Sequence, residues 1–216
     1  MLAAGAVGVC AGGAADIEFR GRWALAVPEA VAVVEEWPGM VARVVAEFGR
    51  IDILVNAAGV QVRKPMFEVT EEDWDYLTSI NQKAVYFCSQ AVARQMMKQG
   101  KGKIVNIGSL NSTIALPNIS LYATAKTAVV GMTRAMSGEW SRHSINVNAV
   151  GPGYFKTEMT RALWSDPDTD AWVLSRTPMG RWGELRRLAG AVVFLAADAS
   201  DFVTGRRVGV DGGCPC

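Results

Sequence analysis

Short runs rich in β-branched residues recur along the chain, separated by longer stretches in which apolar positions return every three or four residues. The short runs predict strands at 6–11, 23–27, 51–55, 103–107, 145–150 and 207–210. The longer stretches predict helices near 29–48, 71–98, 121–142 and 184–197. Strands that are apolar on both faces and alternate with helices form βαβ units, in which right-handed crossovers lay helices over both faces of a parallel sheet. The fold class is therefore α/β, a single-domain doubly wound parallel sheet. Thr70 followed by Glu71-Glu72-Asp73 marks a helix start, with a side-chain oxygen and acids placed where free amides collect. Pro38-Gly39 is expected to bend or interrupt the 29–48 segment. The stretch 153–183, with Pro167, Pro178, Gly180 and Gly183, reads as one long irregular loop, a kind that in a compact domain is usually functional.

Composition narrows the field. Half of the 216 residues are apolar, enough for one sizeable core in one domain spanning 1–216. A net charge of +1 with mixed signs offers no basic stripe for nucleic acid. Apolar runs such as 189–197 fall short of the roughly 20 residues that span a bilayer, so no membrane partner is expected. Residues 2–15 are small and apolar, but no Lys or Arg precedes them and Asp16 and Glu18 follow, which argues against a secretory signal. Cys10, Cys88, Cys214 and Cys216 give neither a disulfide framework nor paired metal ligands, and a reducing cytoplasm suits them best. His143 is the sole histidine; it excludes multi-histidine metal centres and reads as a solvated loop residue.

In an open α/β sheet the ligand crevice lies at the carboxyl ends of the strands. There the chain places Asn56-Ala57-Ala58-Gly59, Gly108-Ser109 and Gly151-Pro152-Gly153. Tyr122 and Lys126, four residues apart on a predicted helix, share one face. A phenol ordinarily titrates near 10, so an anion at neutrality needs about 4 kcal/mol of stabilisation, which a neighbouring cation can supply. Such a pair alone is more often solvated helix decoration. Ser109 lies thirteen residues upstream at a strand end, and Asn81 lies inside the preceding helix.

Asn81, Ser109, Tyr122 and Lys126 together resemble the catalytic tetrad of the short-chain dehydrogenase/reductase family. Asn56 to Gly59 resembles that family's Asn-Asn-Ala-Gly turn, and Pro152-Gly153-Tyr154-Phe155-Lys156-Thr157 its Pro-Gly-x-x-x-Thr motif. Val203-Thr204-Gly205 with Val210-Asp211-Gly212-Gly213 is similar to its last strand. The resemblance implies a Rossmann-like fold that exchanges a hydride with NAD or NADP while a secondary alcohol and a ketone interconvert. It implies that Tyr122 exchanges the proton, Lys126 lowers the Tyr122 pKa and binds the nicotinamide ribose, Ser109 orients the substrate oxygen, and Asn81 holds a relay water. Asn56, Ala57 and Gly59 would line the adenine-ribose side, and Pro152, Gly153 and Thr157 the nicotinamide end. Asn81 as a cap, Ser109 as a turn residue and Gly153 as backbone geometry are the bland alternatives. Residues 152–159 and 178–183 resemble the gluconate 5-dehydrogenase-like sugar-acid branch, and Arg161, Arg176 and Arg181 could meet a carboxylate. Helices 71–98 and 121–142 resemble those that pair in family dimers and tetramers, which implies a homo-oligomer, a homotetramer among them.

The amino-terminal segment, 1–28, departs from the pattern. The family's Thr-Gly-x-x-x-Gly-x-Gly aligns with Ala11-Gly12-Gly13-Ala14-Ala15-Asp16-Ile17-Glu18, which keeps Gly12 for the cofactor and puts acids at two later glycine positions. A carboxylate about 4 Å from a phosphate charge costs roughly 1 kcal/mol in water and about 4 at an effective dielectric of 20. Ala30 replaces an adenine-binding Asp, and the spacing leaves the sheet one strand–helix unit short, so the NAD or NADP preference is unreadable. Strand 6–11 is expected at the centre of the sheet with strand 23–27 beside it, because a central ladder cannot be left unpaired. The alternative to an enzyme is a catalytically silent homologue that keeps the scaffold and its assembly surface.

Overall fold

The computed structural model describes residues 8–11 and 33–214. Strand 23–27, the crossover before it, and the expectations for Gly12, Asp16, Glu18 and Ala30 lie outside those residues. Among the described residues, five strands form one parallel sheet in the order β1 (Gly8–Ala11), β2 (Ile53–Asn56), β3 (Gly102–Ile107), β4 (Ile145–Pro152), β5 (Arg207–Val210). Ala11 pairs with Asn56, and Asn56 with Asn106, so the opening strand lies beside the strand that precedes the Asn56 turn. Each of the five observed strands falls within two residues of its predicted bounds.

Alternation along the strands divides the core between the two faces. Leu54, Ile104 and Val147, in register across β2 to β4, pack against helices α1 (Trp37–Phe48), α3 (Val85–Gln99) and α4 (Ser120–Trp140) through Met40, Val44, Cys88, Val92, Met96 and Met136. Val105 and Val150, with Val55, Ile107 and Val208, turn to the other face and meet Leu188 and Leu195 of α7 (Leu185–Ala196). Burying each such aliphatic side chain contributes roughly 1.5–3 kcal/mol, which is why strands covered on both faces carry almost continuous apolar runs.

Three expectations are corrected. Pro38 does not bend a helix; α1 starts at Trp37 and holds Pro38 in its first turn, where a missing N–H is harmless. The predicted helix 71–98 is α2 (Glu71–Thr78) and α3 joined by a π-helical turn at Ser79–Ala84, which carries Asn81. Residues 153–183 are not irregular throughout: they contain α5 (Arg161–Trp164) and α6 (Pro167–Arg176). The error came from reading Pro167 as a breaker, whereas Asp166-Pro167 starts a helix, the Asp166 carboxylate accepting the Thr169 N–H at 2.9 Å. This excursion closes at its neck, where Gly183 N–H donates to Tyr154 O at 2.8 Å and Lys156 N–H to Gly183 O at 3.0 Å.

The helix start at Thr70 is present as expected. Thr70 Oγ1 accepts the Asp73 N–H at 3.2 Å and Asp73 Oδ2 accepts the Thr70 N–H at 3.0 Å, while Lys64 Nζ reaches the same carboxylate at 2.6 Å. The cap thereby anchors the segment 60–64 that borders the site described next. Thr70→Ala should lower unfolding stability by about 1 kcal/mol, read as a fall in the urea midpoint at unchanged slope. An unmoved midpoint would show that the cap does not support α2.

Candidate active site

β3 ends at Ile107, and Gly108-Ser109 leads into a single 3₁₀ turn, Leu110–Ser112. Ser109 caps it: its Oγ accepts the Asn111 N–H at 3.0 Å, and Ser112 Oγ accepts the Ser109 N–H at 3.2 Å. Ser112 Oγ then donates to the Lys126 carbonyl at 2.7 Å. The turn after β3 is thus bolted to α4 at the residue that carries the amine. From the same residue Lys126 Nζ, buried, returns to the end of the strand and donates to Ile107 O at 2.7 Å. One helical turn earlier stands Tyr122, with the amine 5.7 Å from its ring centroid. Its phenol lies beside Ser109, which acts to lower its pKa. Three of the four expected residues therefore converge at the carboxyl end of the sheet.

The electrostatics differ from the expectation. Burial holds the Lys126 ammonium well below the ordinary lysine value, to about 8. Burial also raises the Tyr122 phenol, and Ser109, not Lys126, is the group that opposes the rise. The reason is positional: the amine is turned to the Ile107 carbonyl. Without a ligand the phenol is held neutral, the form of a proton donor.

Asn81 completes the surround from the π-turn. Fully buried, it gives both ends of its amide to one residue: Oδ1 accepts the Val60 N–H at 2.9 Å and Nδ2 donates to Val60 O at 2.8 Å. That grip fixes the chain just after the 56–59 turn, and Val60 and Val62 pack with Leu77, Leu121, Ala125 and Tyr122. The side chain is therefore a clamp. Asn56 is corrected in a similar way. Its side chain is buried inside the helix layer, donating to Ser89 Oγ at 2.9 Å and Asn106 Oδ1 at 2.7 Å, so only its backbone is available to line a crevice. Ala57 is exposed and Gly59 half-buried, and these form the open part of the turn.

On the opposite rim, Pro152 ends β4. A Cβ on Gly153 would stand 2.6 Å from Asp211 Cα, so this glycine serves the close approach of two backbones. Thr157 Oγ1 is engaged locally with Thr160 Oγ1 at 3.1 Å. Of the loop arginines, Arg161 is paired with Glu158 at 2.6 Å, Arg176 stacks on Trp172 with its guanidinium carbon 5.4 Å from the ring centroid, and Arg181 is exposed. Sequence reasoning missed Ser112, Val60 and the Ile107 carbonyl. The first was legible as a Ser-x-x-Ser cap; the other two act through their backbones and leave no mark in side-chain identity.

The residues present fit the nicotinamide half of a dinucleotide. A Cβ built on Gly59 would lie 3.5 Å from both Asn81 Oδ1 and Lys126 Nζ, which places this turn against the amine. An ammonium has three donors, and Ile107 takes one, leaving two for ribose hydroxyls. When bound, the dinucleotide supplies or accepts the hydride.

Comparisons with known proteins agree with this geometry. Residues 15–215 match the family model described as Enoyl-(Acyl carrier protein) reductase. The gluconate 5-dehydrogenase of Gluconobacter oxydans (strain 621H) is 49% identical over 173 residues, 80% of this chain and 68% of that enzyme. The 5-keto-D-gluconate 5-reductase of Escherichia coli (strain K12) is 46% identical over 194 residues, 90% of this chain and 76% of that enzyme. A crystal structure of a gluconate 5-dehydrogenase from Burkholderia cenocepacia J2315, in complex with NADP and tartrate, superimposes with a TM-score of 0.84 at 44% identity, covering 85% of this chain and 72% of that one. The chain belongs to the short-chain dehydrogenase/reductase family of NAD(P)-dependent oxidoreductases. Among the described residues no helix is long and apolar enough to cross a membrane, and no cluster of His, Cys, Asp and Glu could hold a metal.

The low Lys126 value has a consequence for stability. A lysine whose folded pKa lies below its unfolded one is penalised while charged, and the penalty disappears as pH rises from about 8 toward 10.5. Lys126→Met removes that dependence. The stability of the variant relative to the parent should therefore decline between pH 8 and 10 in urea titrations, and a pH-independent difference would contradict the assigned burial.

Proposed function

We propose that this protein interconverts a secondary alcohol and a ketone on a sugar acid such as gluconate, using NAD or NADP. The observation that carries the reading is the Lys126–Ile107 and Ser112–Lys126 pair of hydrogen bonds, which sets Tyr122 beside Ser109 and the Gly59 turn against the amine. The sugar-acid substrate is supported by relatives named gluconate 5-dehydrogenase and 5-keto-D-gluconate 5-reductase, and by the tartrate and NADP of the Burkholderia structure.

In ketone reduction Tyr122 donates its proton to the carbonyl oxygen as hydride arrives at the carbon; in alcohol oxidation it takes that proton back. Ser109, buried and in contact with the phenol, orients the reacting oxygen. Lys126 positions the ribose with its two remaining donors and places positive charge one helical turn from the phenol. With its amide engaged by Val60, Asn81 supports the reading by holding the chain just after the 56–59 turn. Pro152, Gly153 and Thr157 form the nicotinamide-side wall, Asn56 to Gly59 the other, and Gly12 would take the phosphates. We further infer a cytoplasmic homo-oligomer through 71–98 and 121–142; Trp74, Tyr76 and Tyr86 are large aromatic side chains left exposed on α2 and α3.

Tyr122→Phe keeps the ring and removes the proton. Its turnover of D-gluconate with NADP, and of 5-keto-D-gluconate with NADPH, followed by absorbance, should fall by about 10²–10⁴-fold. A variant that keeps more than a tenth of parental activity would overturn the assignment of Tyr122 as the acid and base.

A further inference from the structure

Tyr154, two residues beyond β4, is half-buried with its hydroxyl oxygen fully enclosed and lacking any hydrogen-bond partner. A buried phenol without a partner is costly unless something brought by a ligand satisfies it. Its ring is held edge-on between Trp172 at 6.1 Å and Trp182 at 5.8 Å. Trp182 is buried and is itself locked, Nε1 donating to Asp170 Oδ1 at 2.6 Å, and the Tyr154 carbonyl accepts the Gly183 N–H at 2.8 Å. The phenol is therefore aimed by rigid neighbours on both sides.

Cations border it. The Arg176 guanidinium lies over the outer Trp172 ring at 5.4 Å. Burial pushes the phenol upward, Cys214 adds to that push, and Arg176 and Arg63 oppose it more weakly. Val150, four residues before Tyr154, pairs with Ile107, whose carbonyl holds the Lys126 amine, so Tyr154 leaves the sheet at the same rim as Ser109 and Lys126. Of the three loop arginines read from the sequence, Arg161 has its carboxylate already in Glu158. Arg176 is the one that joins the unpartnered hydroxyl through a shared aromatic wall.

We infer that the Tyr154 hydroxyl and the Arg176 guanidinium receive the carboxylate end of a polyhydroxy acid substrate, and so choose the acid over the corresponding neutral polyol. A neutral phenol is a single strong donor and a guanidinium a planar fork, a combination that matches two carboxylate oxygens. The inference rests on the sugar-acid reading of the site but concerns binding and not turnover, so the two fail separately.

Trp172 and Trp182 report binding directly, and intrinsic fluorescence of the intact protein, with and without NADP, can be titrated with D-gluconate and with D-glucitol, which differs by lacking the carboxylate. Gluconate should change the emission saturably and bind tighter than glucitol. Tyr154→Phe should weaken gluconate by about tenfold to a hundredfold while leaving glucitol within about twofold. Arg176→Gln, on an exposed helix position, should show the same selective loss and covers the case in which the Tyr154 variant folds poorly. Equal weakening of both ligands in both variants, unchanged gluconate affinity, or no gluconate binding by the parent would overturn the inference. Selective binding without gluconate turnover would uphold the carboxylate site and count against the proposed reaction alone.

Discussion

A charged amine buried at the rim of a parallel sheet must find an acceptor, and the structure of this site follows from the one it finds. Lys126 reaches back to the carbonyl that ends β3, while its own carbonyl receives Ser112 from the turn that leaves β3. These two bonds run in opposite directions between the same strand end and the same helix turn. They fix both the axial position and the rotation of α4 against the sheet. Tyr122, one turn earlier on that helix, is then delivered to Ser109 without any further device. Breaking either bond would leave a buried polar group unsatisfied, a cost of about 1–3 kcal/mol and more for a charge, so the geometry is maintained by the folding energy itself.

A second polar chain supports the first from beneath. Asn56 donates to Asn106, Asn106 Nδ2 to Thr133 Oγ1 at 3.0 Å, and Thr133 Oγ1 to the Val129 carbonyl at 2.8 Å, while Ser89 takes the other bond from Asn56. These groups lie on the α3 and α4 face of β2 and β3, next to the all-apolar layer of Leu54, Ile104 and Val147. An apolar core could pack there with less desolvation. What the polar chain adds is register, because each amide has only one position in which its partner is within reach. The active turn and the strand register are thus specified by one continuous set of side chains.

Much of this could be read from the chain, and the failures share a cause. Periodicity located the strands because both faces of each are covered, and the Tyr122–Lys126 spacing located one face of α4. Thr70 was recognisable as a cap because that role depends on side-chain identity. The errors arose where backbone did the work that side chains were credited with. Asn56 and Asn81 look like ligand residues by type, yet their amides hold other parts of the protein. Gly153 has a second role that its type does not reveal, since it lets β4 approach Asp211. The π-turn at 79–84 was invisible, since it changes the hydrogen-bonding step without changing the apolar pattern. The Tyr122 environment was misjudged for a related reason: a cation lowers a phenol only when it points at the oxygen, and spacing alone does not say where an amine points.

The residues proposed for the nicotinamide side lie among the described residues, whereas the segment with Asp16 and Glu18, carboxylates where glycines would admit a pyrophosphate, lies outside them. The central claim is that the amine, the phenol and the open turn at Gly59 suffice to hold a dinucleotide despite those acids. Titration of the protein with NADH and NADPH, followed by cofactor fluorescence with tryptophan excitation, tests it most directly. The account expects saturable binding of at least one of them with a Kd below about 1 mM, some 4 kcal/mol of binding free energy. Absence of binding to both at several millimolar would contradict it and would leave a folded scaffold with an arrangement of catalytic groups that it cannot use.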